Sequence, residues 1–310
     1  MSNKNASKDA LTEDLRVSFK FAFKNVLSFL LGMIGVILVS VLVMGIGFGL
    51  FMIPLYFALG GWVGITTYFD ALGVFLNALF NTGALFSPFG ILLILSTVTI
   101  ILSPFFIAMG ALFGMGREVV ESSGTSAEGV FTWYRKKFFS LAGGGILLFF
   151  ITVTPLILVW GVVSFGFTVN ITGLPAAALS ALSATWILLS LGLMSMLFPA
   201  IIDNLSVIEA AKTSIRLSTK HFDRVFALWL SLVGILTLVI IPLFVFIPFD
   251  APESVLALLA VYAIPAVFFL LLIWIPALVI ALSRLYMILS GIEISVAEKT
   301  EPDVSLVGGM

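Results

Sequence analysis

The sequence holds no cysteine and one histidine among 310 residues, and only 10% of its residues are charged. The first absence removes disulfides, thiolate metal sites and cysteine nucleophiles. With one histidine, a zinc site of the HExxH type is excluded as well. No glycine is followed by Lys-Ser or Lys-Thr, so there is no Walker A loop and ATP hydrolysis is not expected. The scarcity of charge says most. Soluble chains are roughly 45–50% apolar and roughly 25% charged, whereas this one is 61% hydrophobic with a mean hydropathy of +1.24. Lipid must be its solvent over most of its length. A cleavable signal peptide is not expected, because Asp9, Glu13 and Asp14 stand among the first bases and the apolar run that follows is far longer than a signal core.

A membrane-crossing helix needs about 20 mostly apolar residues, so the gaps between charges set how many spans each stretch holds. Residues 25–69, 71–116, 138–202, 225–249 and 254–283 contain no Asp, Glu, Lys or Arg. The longest gap holds two spans, divided by Gly166, Asn170, Gly173 and Pro175. Six spans result, near 26–53, 89–115, 138–163, 177–201, 225–248 and 255–283. Short loops rich in Lys and Arg stay in the cytoplasm. All 15 bases fall in the two tails and the loops at 116–137 and 202–224, while the loops at 54–88, 164–176 and 249–254 carry only Asp70, Asp250 and Glu253. Both termini are therefore expected in the cytoplasm, and the chain in the cell (cytoplasmic) membrane as a multi-pass protein. Trp62 and Trp160 fall near the outer boundary and Trp133 and Trp229 near the inner one, as aromatic belts do. Trp186 and Trp274 fit neither belt.

A weak threefold repeat runs through this pattern. Reading Lys137 against Arg224, an offset of 87 residues, lays the third span over the fifth and brings Pro155 onto Pro242. Pro104 and Pro199 lie at corresponding places in the second and fourth spans, and Pro276 in the sixth. The unit is a basic amphipathic segment followed by a two-span hairpin, and its copies run parallel. Before the fifth span, Ile208, Ala211, Ile215 and Phe222 share one helical face, and Lys212, Arg216, Lys220 and Arg224 recur on the next. Before the first span, Leu11, Leu15, Phe19, Ala22 and Val26 oppose Arg16, Lys20 and Lys24. Before the third, Trp133 and Tyr134 adjoin Arg135, Lys136 and Lys137, an interfacial anchor. These ten bases are the candidate residues for binding anionic headgroups or a partner. Residues 1–25 thus read as a cytoplasmic tail and amphipathic helix, 26–283 as the membrane domain and 284–310 as a cytoplasmic tail.

No expected span carries an ionisable residue, which argues against a proton-coupled transporter, a voltage sensor or a carboxylate-based protease. His221 is an interfacial side chain, with Ser214 and Ser218 its only near serines. The glycines at 45, 47, 49 and 143–145, and the pair Gly110 and Gly114, are expected at close helix contacts. Ser96, Thr99 and Ser103 share a face that serves interhelical hydrogen bonds or lines a polar path. The prolines at 104, 155, 199, 242, 265 and 276 are expected to kink their helices. The apolar loop 61–88 reads as a short helix on the outer interface, with a re-entrant segment as the alternative. Asn170-Ile-Thr172 is a glycosylation sequon. After Arg284, Tyr286 to Ile294 extend the last helix along the interface and the remaining tail is disordered.

Pro199, Asp203, Glu209, Ala210, Lys212, Ser214, Arg216 and Leu217 resemble a stretch in the membrane domain of glycerophosphoryl diester phosphodiesterases and in related prokaryotic six-span membrane families. There an apolar helix ends in proline, and an acid, a Glu-Ala pair and a basic-Ser-x-basic-Leu stretch follow. Here Thr213 intervenes between the first base and the serine. The resemblance implies the architecture alone, since the catalytic barrel's His, Glu and metal-binding carboxylates have no counterpart. The expectation is an all-α polytopic membrane protein of six transmembrane helices in three pseudo-repeated hairpins, with amphipathic cytoplasmic interfacial helices. It is expected to be no enzyme and to need no cofactor, metal or nucleic acid. Its partners would be membrane lipids, anionic ones above all, or a cytoplasmic or membrane protein, and its role that of a scaffold or lipid-associated accessory protein. The alternative is a carrier or permease for a lipid or small apolar solute.

Overall fold

A computed structural model of the chain describes residues 2–82, 88–122, 124–166, 173–245 and 253–292. Side chains are described more narrowly, and those of residues 2–9, 78–103 and 243–257 fall outside. Among the described residues every regular element is helical and no strand occurs. In chain order the helices are α1 (Ser2–Lys24), α2 (Val26–Ala58), α3 (Trp62–Thr82), α4 (Pro88–Ser122), α5 (Ala127–Gly166), α6 (Leu174–Leu193) and α7 (Leu197–Ile202). Then come α8 (Val207–Lys220), α9 (Phe222–Val245), α10 (Glu253–Phe269), a π-helical turn (Leu270–Trp274) and α11 (Ile275–Leu289).

Five stretches among the described residues are long and apolar enough to cross a membrane: Val26–Ala58, Ala127–Trp160, Leu174–Ile202, Phe222–Pro242 and Val261–Leu289. The chain is thus a multi-pass membrane protein by length and composition. Helix α4 covers the expected second span, but Ser96, Thr99 and Ser103 belong to its undescribed side chains.

The chain divides into two compact units, one of Met1–Val36, Met109–Leu141 and Gly192–Met310, the other of Ile37–Ala108 and Ala142–Leu191. In the first, α8 packs on α7 and α9, while α1 packs on α11, α9 and the π turn. Its core surrounds α7, whose six residues are all buried, together with Met115, Ile280 and Leu285. Small residues permit this density, as they must where lipid supplies no hydrophobic drive between helices. Gly110 faces Leu141 and Phe198, Gly114 lies against the Trp133 indole, and Gly116 meets Val279 and Ser283. In the second unit Gly145 lies against Phe106.

Gly45, Gly47 and Gly49 depart from expectation. A side chain at any of them would meet nothing within 4 Å, and Ile46, Phe48 and Leu50 beside them are exposed. Among the described residues no close helix contact forms at these glycines, and Gly49 borders α3 across an open groove shared with Trp62 and Ile65.

Local chemistry sets the helix ends. At Asn25, between α1 and α2, the side-chain Nδ2 donates to the Phe21 carbonyl at 3.0 Å and shares it with the Asn25 N–H. Helix α5 starts before its expected span and bends at Lys137 (φ −119, ψ 16), the last charge before the long apolar gap. The expected short outer helix is α3, 21 residues long, with Phe69 and Phe75 exposed; Leu76 and Leu79 lie outside the described side chains. Gly60 and Gly61 turn the chain into it at φ +75 and +104, and a Cβ at Gly64 would fall on the Leu59 carbonyl. Helix α11 stops at Leu289, where Gly291 takes φ +72, rather than running on along the interface.

Candidate functional site

Helix α8 has three sides. Ala210, Ala211, Ser214, Leu217 and Ser218 are buried, so Ala211 leaves the face on which periodicity put it. Ile208, Ile215 and Phe222, seven residues apart, stay 66%, 40% and 49% exposed. Lys212, Arg216 and Lys220 are exposed on the third side. A capping box fixes the start: Ser206 accepts from the Glu209 N–H, and the Glu209 carboxylate accepts from the Ser206 N–H and hydroxyl. Those bonds hold the Glu209 carboxyl below the usual range. At the other end the His221 N–H donates to the Leu217 carbonyl.

The buried side of α8 completes a broken helix. Between α6 and α7 the chain turns through Met194–Met196, which frees backbone groups that lipid cannot solvate. The Ser214 hydroxyl donates to the Leu193 carbonyl at 2.8 Å and accepts from the Met196 N–H at 3.2 Å. Ser218 donates to the Leu193 carbonyl at 3.1 Å. Both serines are fully occupied as structural donors, which leaves neither poised as a nucleophile beside His221.

Ion pairs tie the neighbouring helix ends together. Arg117 of α4 reaches Asp203 at 2.8 Å and Glu121 at 2.7 Å, and the Tyr286 hydroxyl of α11 donates to the other Asp203 oxygen at 3.0 Å. Burial pulls the Arg117 guanidinium down, but its bonds to Glu121 and Asp203 outweigh this and leave it above its ordinary value. Glu118 accepts from Trp133 Nε1 at 2.8 Å and from the Thr125 hydroxyl at 2.7 Å, clasping α4 to α5. Asp14 of α1 accepts from Arg224 Nη2 at 2.8 Å and lies 3.6 Å from Arg284 Nη1. The space lined by Arg117, Pro199, Ile202, Ser283, Tyr286 and Met287 is about 10 Å³, room for a water molecule and no more.

The candidate bases separate accordingly. Arg16, Lys20, Lys24, Arg135, Lys136, Lys212, Arg216 and Lys220 are exposed. Lys136 Nζ lies 5.9 Å over the Trp133 ring. Lys137 is half-buried at its kink, and Arg224 is turned inward to Asp14. Sequence reasoning missed Asp14, Glu118 and Asp203 as organising residues. A weak signal existed for Asp14: it stands four residues before Ser18 and eight before Ala22, and all three are buried.

The two tryptophans that fit neither belt are both engaged: in the second unit Trp186 Nε1 donates to the Thr152 carbonyl at 3.1 Å. In the first unit Trp274 Nε1 donates to the Leu232 carbonyl at 3.0 Å, and the Tyr262 hydroxyl to Val239 at 3.0 Å. Thr152 and Val239 each stand three residues before a helix proline, Pro155 and Pro242, whose missing N–H leaves the backbone ladder incomplete in that turn. Two fourth-span serines are engaged too: Ser183 with Trp160 and the Leu179 carbonyl, Ser190 with Thr152. A groove of about 240 Å³ between the end of α2 and the start of α3 is lined by Gly49, Met52, Ile53, Tyr56, Phe57, Trp62 and Ile65.

Compared with known proteins, the chain matches no family model, no curated protein and no solved structure.

Proposed function

We propose that the chain is a six-span protein of the cytoplasmic membrane with both termini in the cytoplasm, and a non-enzymatic accessory or scaffold protein whose basic helices engage anionic headgroups. The exposed surface of α8 carries this reading. Ile208, Ile215 and Phe222 would be unfavourable in water, and Lys212, Arg216 and Lys220 unfavourable in hydrocarbon. Headgroup level, where acyl chains meet phosphate, suits both sides of one helix. Each base beside an anionic leaflet contributes about 1 kcal/mol, and Arg16, Lys20, Lys24, Arg135 and Lys136 would add to the same surface.

The repeat gains support from the hydrogen bonds beside its prolines. Thr152 and Val239 are separated by the same 87 residues as Pro155 and Pro242, and each carbonyl accepts from an aromatic donor of the following helix. Helix α4 supplies the sixth span. The resemblance to the membrane domain of glycerophosphoryl diester phosphodiesterases agrees with this layout through Asp203 and Ser214, which both organise the α6–α7–α8 region.

The test is lipid retention. Protein with Lys212, Arg216 and Lys220 all changed to Gln, purified in nanodiscs of mixed lipids, should lose co-purifying anionic lipid while keeping neutral lipid. Unchanged retention would refute headgroup recognition. A second reading, a carrier for a lipid or small apolar solute, draws on the apolar groove beside Tyr56 and Trp62; lipid movement across proteoliposomes that a bulky residue at Gly49 abolishes would favour it.

A further inference from the structure

Asp14 is the meeting point of two guanidiniums. Its side chain is 3% exposed; one oxygen, Oδ2, accepts from both Nε (3.2 Å) and Nη2 (2.8 Å) of Arg224, and the other faces Arg284 Nη1 at 3.6 Å, too far to bond. Arginine does not shed its proton in proteins, so two fixed positive charges stand against one carboxylate. Arg284 carries the deficit. Its Nε and Nη1 are buried and have no hydrogen-bond partner, although its side chain is only 13% exposed. Two planar forks beside each other fit an acceptor with more oxygens than a carboxylate has, and phosphate is the oxyanion that matches them.

We propose that Arg224 and Arg284 form a phosphate site which Asp14 of α1 occupies as an internal ligand, and that the phosphate of an anionic lipid headgroup displaces Asp14 and frees α1. The inference rests on the proposed placement of these helix ends at the headgroups. Helix α1 is suited to exchange. Around Asp14 its fully buried positions are the small Ser18 and Ala22, and Ser18 bonds only within α1, to the Asp14 carbonyl at 2.6 Å. Leu11, Leu15 and Phe19 are only half-buried. The outward side, Arg16, Lys20 and Lys24, would meet the same lipids once α1 let go. Binding of phosphate and docking of α1 thereby exclude one another.

The absence of native cysteine allows a direct test with the full chain. Spin labels at Lys20→Cys on α1 and Ser290→Cys after α11, both exposed positions, report docking as a distance distribution in nanodiscs. Doping phosphatidylcholine discs with phosphatidic acid should raise the long-distance population roughly tenfold, a common size for coupling between two ligands. Asp14→Asn should populate the same state in phosphatidylcholine alone. Arg224→Lys with Arg284→Lys, which keeps both charges but loses the forks, should abolish the response. Inorganic phosphate giving the same shift in phosphatidylcholine discs would support the site and assign it to a soluble phosphate instead of a lipid. A distance that stays fixed under phosphatidic acid, phosphate and Asp14→Asn alike would overturn the proposal, as would a lipid response that persists in the double-lysine variant. Loss of lipid retention in the α8 variant with no movement of α1 would leave the headgroup reading standing and remove this site.

Discussion

Asp14 on the first helix and Arg224 at the start of the ninth are 210 residues apart in the chain and 2.8 Å apart in space. The pair is buried on the Asp14 side and partly open on the other. Removing one partner of such a pair is strongly destabilising, by about 3–5 kcal/mol, because the remaining charge is stranded. The two partners are unequal. Asp14→Asn strands Arg224 and Arg284 together, whereas after Arg224→Gln the carboxylate still has Arg284 at hand. The thermal midpoint in detergent should therefore fall further for Asp14→Asn than for Arg224→Gln. Equal falls would show that Arg284 contributes nothing.

Ser214 should be sensitive to truncation. Ser214→Ala leaves the Met196 N–H and one bond to the Leu193 carbonyl unmade in a buried turn. An unsatisfied buried group costs about 1–3 kcal/mol. Hydrogen exchange should accelerate at Met196 while the middle of α9 keeps its protection. Unaltered exchange there would mean that water already solvates the break.

These two sites mark what could be read in advance and what could not. Charge-free gaps anticipated five helices of membrane length among the described residues, because charge is costly in hydrocarbon wherever the chain goes; the bend of α5 falls at Lys137, the last base before its gap. The break at Met194–Met196 had no comparable signal, since what makes it tolerable is a pair of serines on another helix. Asp14 looked like one more charge in a polar tail, and only its distant arginines make it a core residue. At Gly45, Gly47 and Gly49 no close contact occurs among the described residues, as glycine spacing allows close approach without supplying a neighbour.

The start of α8 responds to pH. Hydrogen bonds from Ser206 hold the Glu209 carboxyl below its ordinary value of 4.5. A depressed acid stabilises the fold above its unfolded value and loses that contribution as pH falls through the folded value. Ser206→Ala should raise the Glu209 titration midpoint toward 4.5, and loss of such a cap costs about 1 kcal/mol. Carbon-detected titration of Glu209 measures the first effect. A midpoint that does not move would assign the shift to another cause.

Orientation is testable residue by residue, because any introduced cysteine is the only one. With both termini in the cytoplasm, an impermeant maleimide should label Asp70→Cys on intact cells and label Lys136→Cys and Lys212→Cys only after permeabilisation. All three positions are exposed. Labelling of Lys212→Cys from outside would invert the orientation, and labelling of all three from one side would break the six-span count.

The aromatic donors beside the prolines give the repeat an energetic test. Trp186→Phe and Tyr262→Phe each remove one donor from a carbonyl three residues before a proline, Thr152 in one case and Val239 in the other. Hydrogen bonds between helices in membranes average about 0.6 kcal/mol, so each change should be mild, and the two should be alike. Exchange should rise locally around Thr152 in the first variant and around Val239 in the second. If α5 and α9 descend from one unit, the donors perform one task twice: each occupies a carbonyl in the turn where a proline withholds its backbone N–H. A large effect at one site beside none at the other would reduce the shared offset of the prolines to coincidence.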